Sequence, residues 1–167
     1  MGATRADGHL EGIAVATSWI PGAGDGGFEG VFALRPNLSA AWRDFAERLF
    51  EGGQVDPTLL ELCRLRIGQM HGAACPRVGG AAAPTLPAEK LADLASWRSS
   101  AAYGETERAC LRFAEQFALD AKGISDDEAA AVTGALGDAG TVAFVEALAI
   151  FDGFARFARI LGVEAPA

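Results

Sequence analysis

Three side chains near the end of one predicted helix are of the types used in proton transfer and nucleophilic chemistry. Glu61 could act as an acid or base, His71 could do so near neutral pH, and Cys75 could attack as a thiolate. Each residue also has an ordinary structural explanation. Glu61 could pair with Arg64, with Arg66 or with a neighbouring subunit. His71 could face solvent at the helix end, and Cys75 could be an incidental loop cysteine. Spacing alone leaves both explanations open.

Two further charged residues could bind a substrate. Arg64 could hold a carboxylate, because a guanidinium donates two parallel hydrogen bonds to it. Asp152 lies close to Phe151 and Phe154 in the last predicted helix, so it could line a pocket. Arg156 follows Asp152 by four residues, the spacing of a helical ion pair. We therefore predict the ion pair for Asp152, with a pocket-lining carboxylate as the alternative.

The helix that positions the first three residues is predicted between Asp56 and Gly72. Asp56 suits an N-cap and Pro57 the first helical position, whereas Gly72 suits the end. An apolar stripe recurs at spacings of four, four and three, through Leu59, Cys63, Ile67 and Met70.

The other periodic segments also predict helices, and no segment shows a convincing strand alternation. We expect helices over Ala40–Phe50 with Ser39 as N-cap, Leu86–Ser99, Thr106–Ala121, a segment capped by Ser125 and Glu128 that ends near Gly137, and Thr141–Leu161. Cys110 lies on an apolar stripe and is predicted to be buried. The last helix is apolar on several faces, which predicts contacts between subunits as well as a core.

The segment ELCRLRIGQMHGAACPRVGG resembles the signature of the alkylhydroperoxidase D-like, or carboxymuconolactone decarboxylase, family. Glu61 falls on the family's proton-relay glutamate, and Gln69 and Gly72 also match. The family's two cysteines and histidine fall on Ala73, Pro76 and Gly80. The resemblance extends to GVFALRPNLSAAWRDFAERLFEGG and GTVAFVEALAIFDGFARFARILGV, so it spans about four-fifths of the chain. It implies an all-α, single-domain, oligomeric bundle of about six to seven helices over residues 31–167. Residues 1–30 carry eight glycines and show little periodicity, so we expect a flexible arm there.

The substituted cysteine positions disfavour a two-cysteine peroxidase cycle, because Cys63 lies about 18 Å before Cys75 along a helix axis. The resemblance instead implies a cofactor-independent acid/base enzyme of the lyase, decarboxylase or isomerase type. Its substrate would be a small carbonyl or carboxylate compound, with Glu61, His71 and Cys75 as candidate catalytic residues and Arg64 and Asp152 as candidate binding residues. One alternative is a non-catalytic small-molecule-binding or oligomeric partner protein. Another is a residual alkylhydroperoxidase that uses Cys75 alone.

Composition narrows the possible partners and location. A net charge of −8 disfavours nucleic-acid binding, which needs a cationic face. No uninterrupted apolar run approaches about 20 residues and no signal peptide is recognised, so we expect a cytoplasmic protein without membrane contact. His9 and His71 lack a matching carboxylate cluster, so no metal is expected. The predicted partners are a small-molecule substrate and further copies of the chain, as a dimer or trimer joined through the C-terminal helix.

Overall fold

The computed structural model describes residues 18–72 and 84–163. This part of the chain is a single domain of helices without strands, which confirms the all-α prediction. Six α-helices follow in order: α1 (Gly27–Ala33), α2 (Pro36–Glu51), α3 (Pro57–His71), α4 (Ala88–Asp93), α5 (Glu105–Asp120) and α6 (Asp126–Leu161). Short 3₁₀ turns lie at Pro21–Ala23, Leu94–Ser96 and Ala121–Gly123.

Helix α3 lies at the centre of the packing, against both α5 and α6. It begins as predicted, because the Asp56 carboxylate accepts a hydrogen bond from the Thr58 backbone N–H at 2.7 Å and Pro57 follows the cap. It ends at Gly72, whose φ of 62° is a left-handed conformation that glycine adopts readily. The predicted stripe faces the core, with Leu59, Cys63 and Ile67 buried and Met70 partly buried.

Helix α6 combines two predicted helices into one element with a break at Gly137. Its start carries the predicted capping box, in which the Glu128 carboxylate accepts from the Ser125 N–H at 3.0 Å while the Ser125 hydroxyl accepts from the Glu128 N–H. At Gly137 the backbone leaves helical geometry, with φ 70° and ψ 174°. By length and composition α6 could cross a membrane, a test that core helices also pass. Here it packs against α3 and α5, with Phe144 and Leu148 fully buried.

Two predicted helix boundaries were wrong. Helix α2 begins at Pro36 and not at Ala40, because proline is preorganised for the first helical turn. Ser39 therefore lies inside α2, where its hydroxyl donates to the Pro36 carbonyl at 3.0 Å. The helix predicted over Leu86–Ser99 is the shorter α4 followed by a 3₁₀ turn. That turn suits the three-residue spacing of buried Leu94 and Trp97, whereas Leu91 stays 46% exposed.

The described residues before α1 lie against the end of α6. The Ser18 hydroxyl donates to the Leu161 carbonyl at 2.8 Å, and the Trp19 indole N–H donates to the Ile160 carbonyl at 2.9 Å. These bonds satisfy two carbonyls that a helix C-terminus leaves without an intrahelical donor. Helix α1 then runs across residue 30, where the sequence places the boundary between arm and domain.

Candidate active site

The first group of predicted site residues is a buried ion pair on α3. The Arg64 guanidinium donates from Nε to Glu61 Oε2 at 2.9 Å and from Nη2 to Glu61 Oε1 at 2.7 Å. Only 6% of the Glu61 side chain and 11% of the Arg64 side chain are exposed. This two-point geometry holds both groups in one orientation. Of the alternatives for Glu61, the ion pair with Arg64 is therefore present.

The second group joins the C-terminal end of α3 to α6. His71 Nε2 lies 2.6 Å from Asp152 Oδ1, and Arg156 Nε donates to Asp152 Oδ2 at 2.7 Å. The predicted Asp152–Arg156 pair is thus confirmed, and this hydrogen bond raises the pKa of Arg156. Arg156 also donates to the Ala118 carbonyl at 2.9 Å, so α5 helps to fix its position.

This arrangement determines which nitrogen of His71 carries the hydrogen. A carboxylate such as Asp152 can only accept, so Nε2 must be the donor and neutral His71 keeps its lone pair on Nδ1. Among the residues that the structure describes, Nδ1 has no hydrogen-bonding partner. Arg159 donates to the His71 carbonyl at 3.0 Å and anchors the backbone there. The imidazole is therefore oriented by a carboxylate in the manner of a general base.

The two groups occupy different positions along α3. Glu61 and His71 are ten residues apart, about 15 Å along the axis, so they are too far apart to act on one bond. Arg64 and His71 are seven residues apart and share a face, with Gly68 between them adding no side chain. Arg64 and His71 could therefore contact opposite ends of one small molecule. The predicted residue Cys75 lies outside the described residues.

A third charged cluster, centred on Glu115 of α5, was missed by the sequence analysis. This carboxylate is 5% exposed and accepts hydrogen bonds from Arg66 at 2.6 Å and from the Trp97 indole at 2.8 Å. Its Oε2 also forms an ion pair with Arg98 Nη2 at 2.5 Å. Burial alone would raise the pKa of Glu115, but hydrogen bonds from Trp97 and Arg66 and the charges of Arg66 and Arg98 lower it overall. One sequence signal could have revealed this cluster: Glu115 lies on the buried stripe of α5, beside Leu111 and Ala114.

The described part of the chain contains no group of three or more side chains that could hold a metal ion. It has a cavity of about 290 Å³ between α1, α2 and α6, and another of about 490 Å³ between α5 and the start of α6. Glu61, Arg64 and His71 line neither cavity.

Comparison with known protein families supports the family resemblance seen in the sequence of α3. Residues 36–116 match the sequence model of the carboxymuconolactone decarboxylase family, from the first residue of α2 into α5. Glu61, Arg64 and His71 lie within the match, whereas Asp152 lies beyond it. No curated protein matches the sequence. Over residues 36–116 the chain is therefore similar to the carboxymuconolactone decarboxylase family.

Proposed function

We propose that this protein is a cofactor-independent acid/base enzyme in which His71 transfers the proton and Asp152 positions it. The observation that carries the proposal is the 2.6 Å contact between His71 Nε2 and Asp152 Oδ1. A carboxylate held in this way fixes the tautomer of the imidazole and stabilises the imidazolium that forms when Nδ1 accepts a proton. Arg156 fixes the carboxylate in turn and also donates to the Ala118 carbonyl of α5, so both α6 and α5 help to hold the group that orients the imidazole.

The substrate class follows from the charge that shares a face with His71. Arg64 lies about 10 Å before His71 along the α3 axis, a span that a small carboxylate substrate and two side chains can bridge. Glu61 holds the Arg64 guanidinium in one orientation. With a carboxylate near Arg64 and a carbonyl-activated carbon near Nδ1, proton transfer would support a lyase, decarboxylase or isomerase reaction. In this mechanism His71 transfers the proton, and Glu61 positions the Arg64 guanidinium.

The test uses the two histidines of the chain as a matched pair. A panel of β-keto acids and lactone acids is followed by CO₂ release and by deuterium incorporation next to the carbonyl. We expect His71→Gln to lower kcat/KM at least about 100-fold, the usual contribution of a general base, while His9→Gln leaves it unchanged. Unchanged turnover in His71→Gln, or no turnover of any compound by the wild-type protein, would contradict the proposal.

Asp152→Asn tests the positioning role separately. We expect a lower kcat together with a changed His71 tautomer, read from the ¹⁵N shifts of its ring, and an unchanged circular dichroism spectrum. Asp138→Asn on the same helix is the control, because Asp138 is exposed. If Asp152→Asn lowers kcat but leaves the ring shifts of His71 unchanged, Asp152 does not act through the imidazole.

A non-catalytic binding protein is the second candidate, and the Glu61–Arg64 pair favours it. A carboxylate that already accepts two hydrogen bonds from a guanidinium is a poor proton donor or acceptor for a substrate. This candidate predicts that the carboxylates of the panel bind but are not converted, and that Arg64→Gln weakens their binding. A single-cysteine alkylhydroperoxidase remains the third candidate. It predicts peroxide-dependent sulfenic acid at Cys75, detectable by mass spectrometry and absent in Cys75→Ser.

A further inference from the structure

The cavity between α1, α2 and α6 is an open groove with almost entirely apolar walls and one cation. Its lining residues are Val31, Phe32, Arg35, Leu38, Trp42, Ala149, Ile150, Gly153, Phe154 and Phe157. Three of the rings pack edge-on around Phe154, with centroids 5.5 Å away for Phe32, 5.5 Å for Trp42 and 6.3 Å for Phe157. The groove therefore offers ring faces and edges to an aromatic or aliphatic body.

A glycine in the wall of the groove helps to keep it open. Gly153 lies in α6 on the groove wall, and a Cβ atom added there would meet nothing within 4 Å. The volume of about 290 Å³ is just below the range of about 300–1,000 Å³ that is usual for ligand pockets. The space therefore suits a small organic molecule with a single ring or a short chain.

The charge at the groove indicates an anionic group on that molecule. Among the described residues, the Arg35 side chain makes no hydrogen bond or ion pair, unlike Arg43 nearby, which pairs with Glu29. Arg35 also precedes α2, a 16-residue helix whose N-terminus has no side-chain cap and no acidic residue in its first turn. The positive end of α2 and the Arg35 guanidinium thus lie together beside an apolar groove.

We propose that this groove is a second binding site, separate from the His71 site, for a small monocarboxylate with an aromatic or short aliphatic body. The apolar body lies on the rings beside Gly153, and the carboxylate accepts hydrogen bonds from Arg35 at the start of α2. The groove shares no residue with the pair formed by His71 and Asp152. The proposal therefore does not depend on the enzymatic function proposed above.

The test measures binding of 3-phenylpropionate and of its neutral analogue 3-phenyl-1-propanol by titration calorimetry and saturation-transfer NMR. We expect Gly153→Leu to weaken both compounds at least tenfold, because the new side chain fills the groove. Gly134→Leu is the matched control, since Gly134 lies on the same helix with open space around it but outside the groove. Arg35→Gln should weaken the carboxylate about fivefold, a surface ion-pair effect, and leave the alcohol unchanged.

Several outcomes overturn the proposal. These are the absence of saturable 3-phenylpropionate binding, binding that Gly153→Leu leaves intact, and equal effects of Arg35→Gln on the acid and the alcohol. Sedimentation of the same variants tests a second copy of the chain as occupant. An oligomer that Gly153→Leu dissociates, with no carboxylate binding by the wild-type protein, would assign the groove to a subunit interface.

Discussion

At the scale of single residues, the charged groups of α3 have separate partners. Glu61 pairs with Arg64 within the helix, whereas His71 contacts Asp152 across 81 residues of sequence. The first contact follows from helix periodicity and is readable from the sequence. The second depends on how α3 packs against α6, so the sequence could indicate Asp152 as a candidate without indicating its contact with His71.

Replacing Glu61 by Gln separates a positioning role from a catalytic one. The variant removes the buried carboxylate charge that pairs with the Arg64 guanidinium, so we expect a loss of about 3 kcal/mol in the free energy of unfolding. We expect a smaller loss of kcat than in His71→Gln, because the proton moves through the imidazole. Urea denaturation measures the first effect, with Asp44→Asn of the exposed Asp44–Arg48 pair as a nearly neutral control. A loss of kcat in Glu61→Gln as large as in His71→Gln would return the acid/base role to Glu61.

The thiols should differ sharply in reactivity. Burial raises the pKa of Cys63 well above its ordinary value and raises that of Cys110 to about 12, so neither forms an appreciable thiolate near pH 8. We expect the folded protein to show at most one reactive thiol with an aromatic disulfide reagent, and three after unfolding. The Cys75→Ser variant should show none while folded. Rapid reaction of folded Cys75→Ser would mean that α3 and α5 separate readily.

At the scale of secondary-structure elements, the break in α6 depends on glycine. The backbone of Gly137, at φ 70° and ψ 174°, lies in a region that side chains exclude. We expect Gly137→Ala to lower the free energy of unfolding by about 1–3 kcal/mol. Gly134→Ala, three residues earlier in helical geometry, should raise it by up to about 1 kcal/mol. Thermal denaturation of the two variants measures whether their changes in the free energy of unfolding have opposite signs. Equal changes would contradict the break in α6 at Gly137.

The Glu115 cluster makes the contact between α3 and α5 sensitive to acid. The pKa of Glu115 is lowered in the folded protein, so its stabilising effect is complete above its ordinary value of 4.5 and is lost as pH falls through the lower folded value. We expect Glu115→Gln to cost about 3 kcal/mol at pH 7 and to flatten the fall in stability between about pH 5 and pH 3. Urea denaturation at several pH values measures this difference. If stability falls with pH in Glu115→Gln as it does in the wild-type protein, Glu115 is not the group responsible. Asp138→Asn serves as the exposed control.

The sequence predicted helices better than it predicted their boundaries and contacts. Asp56, Gly72 and Ser125 are local signals whose geometry the structure reproduces. The predicted start of α2 was wrong because Pro36 and Ser39 are both signals for a helix start, and the helix begins at Pro36. The Glu115 cluster was missed because its cations come from α3 and from the turn after α4, which only the packed fold brings together.

At the scale of the whole molecule, we propose that the chain forms a homo-oligomer through its C-terminal helix. Ile160 is 69% exposed and lies beside Trp19, which is 68% exposed and donates to its carbonyl. Ile160→Glu should shift sedimentation to the monomer, because burying its carboxylate in an interface is costly. Leu119→Glu on α5 is the control, since Leu119 is equally accessible at 75% exposure but lies on another helix. A wild-type protein that sediments as a monomer would refute the oligomer.

The bonds from Ser18 and Trp19 to the end of α6 also bear on the order of folding. They close loops of 143 and 141 residues, so the chain must find these contacts across nearly its whole length. Closing such loops costs conformational entropy that only the preformed α3, α5 and α6 core can offset. We therefore expect the segment around Ser18 and Trp19 to dock after that core has formed.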